Sequence, residues 1–321
     1  MDILLLGGNR FGFTHAKSYD RLGYDFSVFS RNEEVLRRYR EEFQVRKTYS
    51  DLNEAMNSSH DIIDMVMPHY MHKDLATRAM RDKKHVLIEK PIATTLEEAR
   101  DMITSSKDNN VKFMVAEQYY FDSSLRHTIG YLEKGLIGKV HTIIVRSQSN
   151  FQKLDGWRTS EKLMGGGALI DGGIHFIEAL LDLGGEYSEI VSRVYKGKAS
   201  IEGEDNTVSL ISFKSGATGI FFYSWNYMSP PDVPAYEVIG TKGSIYEYRG
   251  EVGHMSSDHP NTAFGVPVLN GRIQEIEEFD VFDAEISGFL KAVEKDEDVP
   301  YSPELAYRDL ETVLRIYKSS K

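Results

Sequence analysis

An apolar run, Ile3-Leu4-Leu5-Leu6, gives way at once to Gly7-Gly8-Asn9-Arg10-Phe11-Gly12 and then to helically spaced residues over 13–22. A short buried strand, a glycine turn and a helix in that order restrict the chain to folds in which a parallel strand feeds a helix through a tight turn. Two of the three glycines of the G-x-G-x-x-G pattern are present, and Asn9 stands where the second would let a backbone approach a pyrophosphate. Asparagine tolerates left-handed backbone better than most residues, so the turn is kept although a Cβ is added. This is the opening of a dinucleotide-binding α/β fold.

The alternation continues. Strands are expected over 24–30, 62–67 and 111–116, with helices over 32–42 and 72–82 between them. A further strand runs through Lys84-His85-Val86-Leu87-Ile88 and delivers Glu89-Lys90-Pro91 at its carboxyl end, where open parallel sheets place their ligands. Behind it, Thr94-Thr95-Leu96-Glu97 reads as a capping box, with the first threonine and Glu97 paired. Residues 1–118 are thus expected to form one α/β domain. After a helix near 124–134 the pattern changes to long strands, at 140–148, 190–194, 207–213, 219–227, 236–239 and 244–248, joined mostly by short turns. The expectation for 119–321 is an α+β domain on a large mixed, mainly antiparallel sheet. Pro230, Pro231 and Pro234 mark a loop, and so does 253–267. A closing helix at about 303–318 carries Ala306, Leu310, Val313, Leu314 and Tyr317 on one face and is expected to dock, towards the first domain.

Composition removes several function classes. With 38 Lys and Arg against 49 Asp and Glu, the net charge of −11 argues against nucleic acid or another polyanion as partner. The basic run in Arg37-Arg38-Tyr39-Arg40-Glu41-Glu42 is balanced by acids and reads as a solvated helix face. The chain has no cysteine, which excludes disulfide frameworks, thiolate metal sites and cysteine nucleophiles. The apolar start is too short and too acidic for a signal peptide and no stretch could span a bilayer, so no membrane association and a cytoplasmic location are expected. No His-Glu-x-x-His, Walker or Gly-x-Ser-x-Gly motif occurs. His69 and His72 have metal-ligand spacing without acidic or cysteine partners, so no metal is expected; His254 and His259 read as loop residues.

Three stretches carry candidate chemistry. Lys90, at a strand end, can do chemistry, though a surface lysine before a turn proline is the commoner meaning of Glu-Lys-Pro. At the end of the second strand, Phe29-Ser30-Arg31-Asn32 lacks the carboxylate that would bind an NAD ribose, while Ser30 and Arg31 can meet a 2′-phosphate; NADP is expected over NAD. In Met164-Gly165-Gly166-Gly167-Ala168-Leu169-Ile170-Asp171-Gly172-Gly173-Ile174-His175, the aspartate can cap a helix beginning there and shares a face with His175. An imidazole, with its ordinary pKa near neutrality, suits proton exchange with a hydroxyl. A capping aspartate and a buried structural histidine are the plainer alternative.

Together these pieces resemble the Gfo/Idh/MocA family, relatives of glucose–fructose oxidoreductase and inositol dehydrogenase. The matching stretches are 7–15, 68–72, 85–91, 136–140, 157–158, 165–175 and 240–244, and their order and spacing carry the likeness over nearly the whole chain. The resemblance implies a Rossmann domain followed by a sheet domain that mediates homodimer or homotetramer contacts. It implies an oxidoreductase moving a hydride between nicotinamide C4 and a hydroxyl-bearing carbon of a sugar, polyol or related carbohydrate-like small molecule. Lys90, Asp171 and His175 would be catalytic. Gly7, Asn9, Arg10, Phe11, Gly12, Ser30, Arg31, Pro68, His72, Glu89 and Lys90 would meet the cofactor. Tyr119, Trp157 and Arg158 would join Lys90, Asp171 and His175 around the substrate. The run 117–121 departs from the Arg-Phe pattern often found there. Two other readings stand beside this one: a non-catalytic NADP-binding sensor or scaffold, and an epimerase-type short-chain dehydrogenase. The latter needs Tyr-x-x-x-Lys, met only by Tyr317 and Lys321 at a terminus expected to fray.

Overall fold

Buried on all four residues, the strands β1 (Ile3–Leu6), β2 (Phe26–Phe29), β4 (Ile62–Met65) and β6 (Phe113–Ala116), with β5 (His85–Glu89) and the more polar edge strand β3 (Val45–Tyr49), form one sheet. Continuous apolar runs of this kind are what a parallel sheet covered on both faces requires. The connecting helices are α1 (Arg10–Leu22), α2 (Glu33–Glu42), α3 (Leu52–Met56), α4 (His72–Arg81) and α5 (Leu96–Asn109). All five pairings are parallel and the order is β3-β2-β1-β4-β5-β6. The chain reverses direction across the sheet between β1 and β4, so the loops after these strands flank the crevice that such a sheet offers a ligand. The computed structural model describes residues 1–151, 154–197, 200–250, 261–277 and 279–320. It divides into two units, 1–117 with 282–307 and 118–281 with 308–321.

Local expectations needed three adjustments here. Neither β3 nor α3 was expected, because Val45-Arg46-Lys47-Thr48-Tyr49 is polar, as an edge strand affords to be. The capping box lies one residue later than expected: Thr95 accepts from Glu98 N at 3.2 Å, and Glu98 also accepts from the Thr94 hydroxyl at 2.8 Å. Helix α1 starts at Arg10, earlier than expected, with Asn9 as an extended cap at φ −82°; Gly7, at φ +107°, is the residue that needs the unusual backbone.

In the second unit, α6 (Ser123–Glu133) precedes β7 (Val140–Gln148), and a short α7 (Glu161–Met164) precedes α8 (Ile174–Gly184). The strands β8 (Tyr187–Tyr195), β9 (Asn206–Phe213), β10 (Thr218–Ser224), β11 (Tyr236–Gly240), β12 (Gly243–Tyr248), β13 (Val266–Leu269) and β14 (Arg272–Ile273) follow. The eight-stranded order is β14-β13-β12-β11-β7-β10-β9-β8, antiparallel except for the parallel pair β7–β10. The expected loop at 253–267 lies partly outside the described residues, as do His254 and His259; its last two residues open β13. One sheet face is apolar and packed, and α8 lies against β7 and β10. The other face keeps Val191, Val208 and Leu210 about half exposed, at 52%, 48% and 51%.

Two late helices complete the chain. α9 (Val281–Lys295), which sequence patterning did not separate from loop, belongs from Phe282 onward to the first unit. There Asp283 pairs with Arg21 at 2.5 Å, Glu294 accepts from Tyr24 at 2.9 Å, and Phe282 packs on His15 with ring centres 6.2 Å apart. α10 (Pro303–Ser319) begins in the first unit, and residues 308 onward belong to the second.

Candidate active site

The nucleotide side of the first unit is built at the carboxyl edge of its sheet. A Cβ on Gly7 would stand 2.1 Å from the Val66 carbonyl oxygen, so only glycine lets the loop after β1 press against the loop after β4. No acidic residue occupies the first turn of α1, leaving its amide end suited to an anion. Arg10 is exposed at that end, Phe11 is half-buried and Gly12 is buried. Ser30, at the end of β2, is buried and accepts from Asn32 N at 3.2 Å, while Arg31 is exposed. Beside them a cleft of about 480 Å³ is lined by Gly8, Asn9, Arg10, Lys17, Val35 and Arg38, among others. The basic run is balanced by acids as expected: Arg37 pairs with Glu34 and Glu41, Arg38 with Glu42 and Arg40 with Glu33, and Arg38 also lines the cleft.

His72 takes a structural post. Its ring is buried, with Nδ1 2.9 Å from the Pro91 carbonyl and Nε2 2.9 Å from that of Met67. Burial, helped by neighbouring His69, lowers its pKa to about 4, so the neutral ring donates to one of the two carbonyls. It ties the loop after β4, which includes Pro68, to the turn after β5.

Lys90 and Glu89 are buried at the same strand end, and Lys90 N donates to the Glu89 carboxylate at 3.2 Å. Beneath them lies a charged cluster. His15 Nδ1 is 2.8 Å from Asp64, the Tyr19 hydroxyl donates to the same Asp64 oxygen at 2.9 Å, and His15 Nε2 faces Glu89 at 3.4 Å. Burial alone would lower the His15 pKa, but Asp64 and Glu89 override it and raise it well above its ordinary value. Glu285 of α9 is fully buried nearby, and burial raises its pKa well above the carboxylate range despite the attraction of His15. The cluster thus favours the imidazolium form of His15 beside Asp64 and Glu89, and burial favours the neutral form of Glu285. Sequence reasoning missed it; the one local signal is Asp64, a charge inside the apolar run Ile62-Ile63-Asp64-Met65.

In the second unit the glycine-rich stretch does not start a helix at Asp171. Leu169–Gly173 forms a π-helical turn leading into α8, a distortion found often at functional positions. The Asp171 carboxylate is not a cap, because Arg158 Nε lies 3.2 and 3.4 Å from its two oxygens. The guanidinium of Arg158 in turn lies over Trp157, 4.5 Å from the ring centre. His175 is 7% exposed, and the ring of Tyr119 stacks on it at 4.5 Å with 15° between planes. Tyr119 also meets Phe176 and Phe264 edge-on. The unit therefore gathers Tyr119, Trp157, Arg158, Asp171 and His175: an acid–base ring, an ion pair and aromatic faces of the kind that hold a hydroxylated ring. Lys90 belongs to the other unit. Among the described residues no group of three or more histidines and acids could hold a metal ion, and no helix is long and apolar enough to cross a membrane.

Two family models match the chain: an oxidoreductase family, NAD-binding Rossmann fold, over residues 1–117, and a GFO/IDH/MocA C-terminal domain over 127–246. The chain is 25% identical to levoglucosan dehydrogenase of Pseudarthrobacter phenanthrenivorans, over 78% of this chain and 75% of that one. It is 28% identical to myo-inositol 2-dehydrogenase of Thermotoga maritima, over 77% and 75%. Its fold matches the crystal structure of an oxidoreductase from Thermotoga maritima with a TM-score of 0.88 at 20% identity, covering 100% of this chain and 96% of the other.

Proposed function

The chain belongs to the GFO/IDH/MocA oxidoreductase family, and from that premise we propose that it oxidises or reduces a hydroxyl-bearing carbon of a sugar or polyol with NADP. The observation that carries the reading is the edge shared by β1 and β5 in one parallel sheet, where the glycine loop and Lys90 both emerge. The Gly7 cradle, the acid-free start of α1 and buried Ser30 fit a dinucleotide, held by Gly7, Asn9, Arg10, Phe11, Gly12 and Ser30. When bound, it supplies hydride exchange at nicotinamide C4. Arg31, with Arg10 and Arg38 on an adjacent cleft that also holds Glu42, supports NADP over NAD, since the end of β2 carries Ser30 and Arg31 in place of the carboxylate that would bind an NAD ribose.

His175 takes the proton from the reacting hydroxyl or returns it. Lys90 donates a hydrogen bond to that oxygen and stabilises charge developing on it. Asp171, paired with Arg158, orients the substrate's neighbouring hydroxyls, and Trp157 and Tyr119 offer ring faces. A second copy of the chain covers the open sheet face. Register aligns Val191, Leu210, Ile220 and Ile144 side by side across four strands, an apolar row of the sort that monomers rarely leave in water.

The test is turnover by the purified protein with NADP and NAD against levoglucosan, myo-inositol and a panel of aldoses and uronates. Reduction of NADP with a kcat/KM exceeding that for NAD is the expected result. Cofactor binding without turnover of any compound would replace this reading with a sensor.

A further inference from the structure

The glycine-rich segment is glycine-rich because something stands against it. A Cβ on Gly167 would lie 2.1 Å from the Glu204 carbonyl oxygen and 2.2 Å from its carboxylate, and one on Gly166 would lie 2.5 Å from the Tyr317 hydroxyl. Glu204, in the connection between β8 and β9, accepts from Leu169 N at 2.7 Å and from the Tyr317 hydroxyl at 3.1 Å, both on Oε1. Its own carbonyl accepts from Ala168 N at 2.8 Å, and Gly167 N donates to the Tyr317 hydroxyl at 3.3 Å. Asp171 N in turn rests on the Gly167 carbonyl at 3.3 Å, so whatever fixes Gly167 fixes Asp171, and His175 one turn on.

We propose that Glu204, seconded by Tyr317, is a positioning residue for Asp171 and His175, and that the gain or loss of its proton changes how firmly the segment carrying them is held. The proposal rests on the reading that Asp171 and His175 act on substrate. As a carboxylate, Glu204 gives Leu169 and Tyr317 charge-assisted bonds and places a negative charge at the amide end of a helical segment; protonation weakens both effects. Burial raises its pKa to about 7, against the donors Leu169 N and Tyr317. The titratable groups facing it are Tyr317, whose own pKa burial drives up so that it stays neutral, and Glu161 at the start of α7, which repels it; Tyr223 of β10 senses it from below the π turn. Glu202, two residues back, is engaged with Glu161 N. The state of Glu204 therefore changes within the neutral range.

The Leu169 amide proton, observed by leucine-selective NMR of the full chain, reads this bond directly. Its shift is expected to move with a midpoint of about 7. Tyr317→Phe removes a donor and moves the midpoint upward; Glu204→Gln keeps an acceptor but abolishes the inflection. With any compound of the panel that is turned over, kcat rises about fivefold through the same midpoint in the natural protein. In Glu204→Gln that limb is missing, with KM for NADP unchanged. A flat Leu169 shift, or a Glu204→Gln profile that overlays the natural one, overturns the proposal. Inflections present without any turnover support the holding role of Glu204 and overturn the catalytic reading instead.

Discussion

The two units hold their reactive groups by opposite means. In the first, Lys90 ends a strand whose neighbour Glu89 faces His15, and His15 is locked to Asp64: full charges, out of water, mutually compensated. In the second, Asp171 and His175 ride on a glycine run pressed against Glu204 and Tyr317, with main-chain donors and a single ionisable carboxyl. Paired buried charges tolerate the loss of a partner badly, whereas backbone packing yields by degrees. Their pH dependences share a sign but differ in window. The His15 pKa is raised in the folded state, so its contribution to stability is full below the ordinary imidazole value and is lost as pH rises through the higher folded value, on the alkaline side. The Glu204 pKa is raised too, so its contribution is full below the ordinary glutamate value and has gone once pH passes about 7. The Glu204 window closes at neutrality, where that of His15, with its ordinary value near 6.5, has only begun to close.

The sharpest way to break this comparison is to remove the groups being held. His175→Ala is expected to lower kcat by about 10²–10⁴-fold, the range for a lost general acid–base. Lys90→Met is expected to lower it by roughly 10²–10³-fold, and both keep NADP affinity in fluorescence titration. Near-natural turnover in either variant would show that the wrong groups are being compared. Next, His15→Ala strands Asp64 and Glu89 and should cost about 3–5 kcal/mol in urea denaturation, with a matching loss in the natural protein only when His15 deprotonates in alkali. A loss under 1 kcal/mol would mean the charges are not mutually dependent. Glu204→Gln should gain up to about 3 kcal/mol above neutral pH and nothing in acid, the opposite sign from His15→Ala. Equal stability of variant and natural protein at both extremes would erase the contrast. Leu210→Lys, on the open sheet face of the second unit, should leave folding within about 0.5 kcal/mol yet, if a second copy covers that face as proposed, lower the sedimentation coefficient to that of a monomer. Natural-like sedimentation would reassign that face.

What the sequence disclosed follows the reach of each interaction. The strand, glycine loop and first helix, the strand ending in Glu-Lys-Pro and the alternating strands of the second unit are written within a few residues, and the structure has them. Edge strand β3 hid behind Arg46 and Lys47 because an edge needs no apolar pattern. The capping box was ambiguous because Thr94–Glu97 and Thr95–Glu98 share one spacing, and only packing chose the second. Asp171 read as a cap because its true partner, Arg158, is thirteen residues back. His15 and Asp64 are 49 residues apart and Glu204 and Tyr317 are 113 apart, beyond any local pattern. Tyr317, placed at an end expected to fray, turns its hydroxyl onto the glycine run instead.

The membership of α9 in the first unit has a consequence for how the protein is made. Residues 1–117 emerge from the ribosome with His15, Tyr19 and Arg21 awaiting Phe282, Glu285 and Asp283, and the second unit must be synthesised in between. At roughly 5–20 residues per second that interval lasts on the order of 10–30 s. During it the face of α1 that carries His15, Tyr19 and Arg21 lacks the helix that covers it in the finished fold. Nascent chains stalled before residue 282 should be cut within 1–117 by a protease that spares the finished protein, and equal resistance would show that α9 is dispensable to the unit it joins.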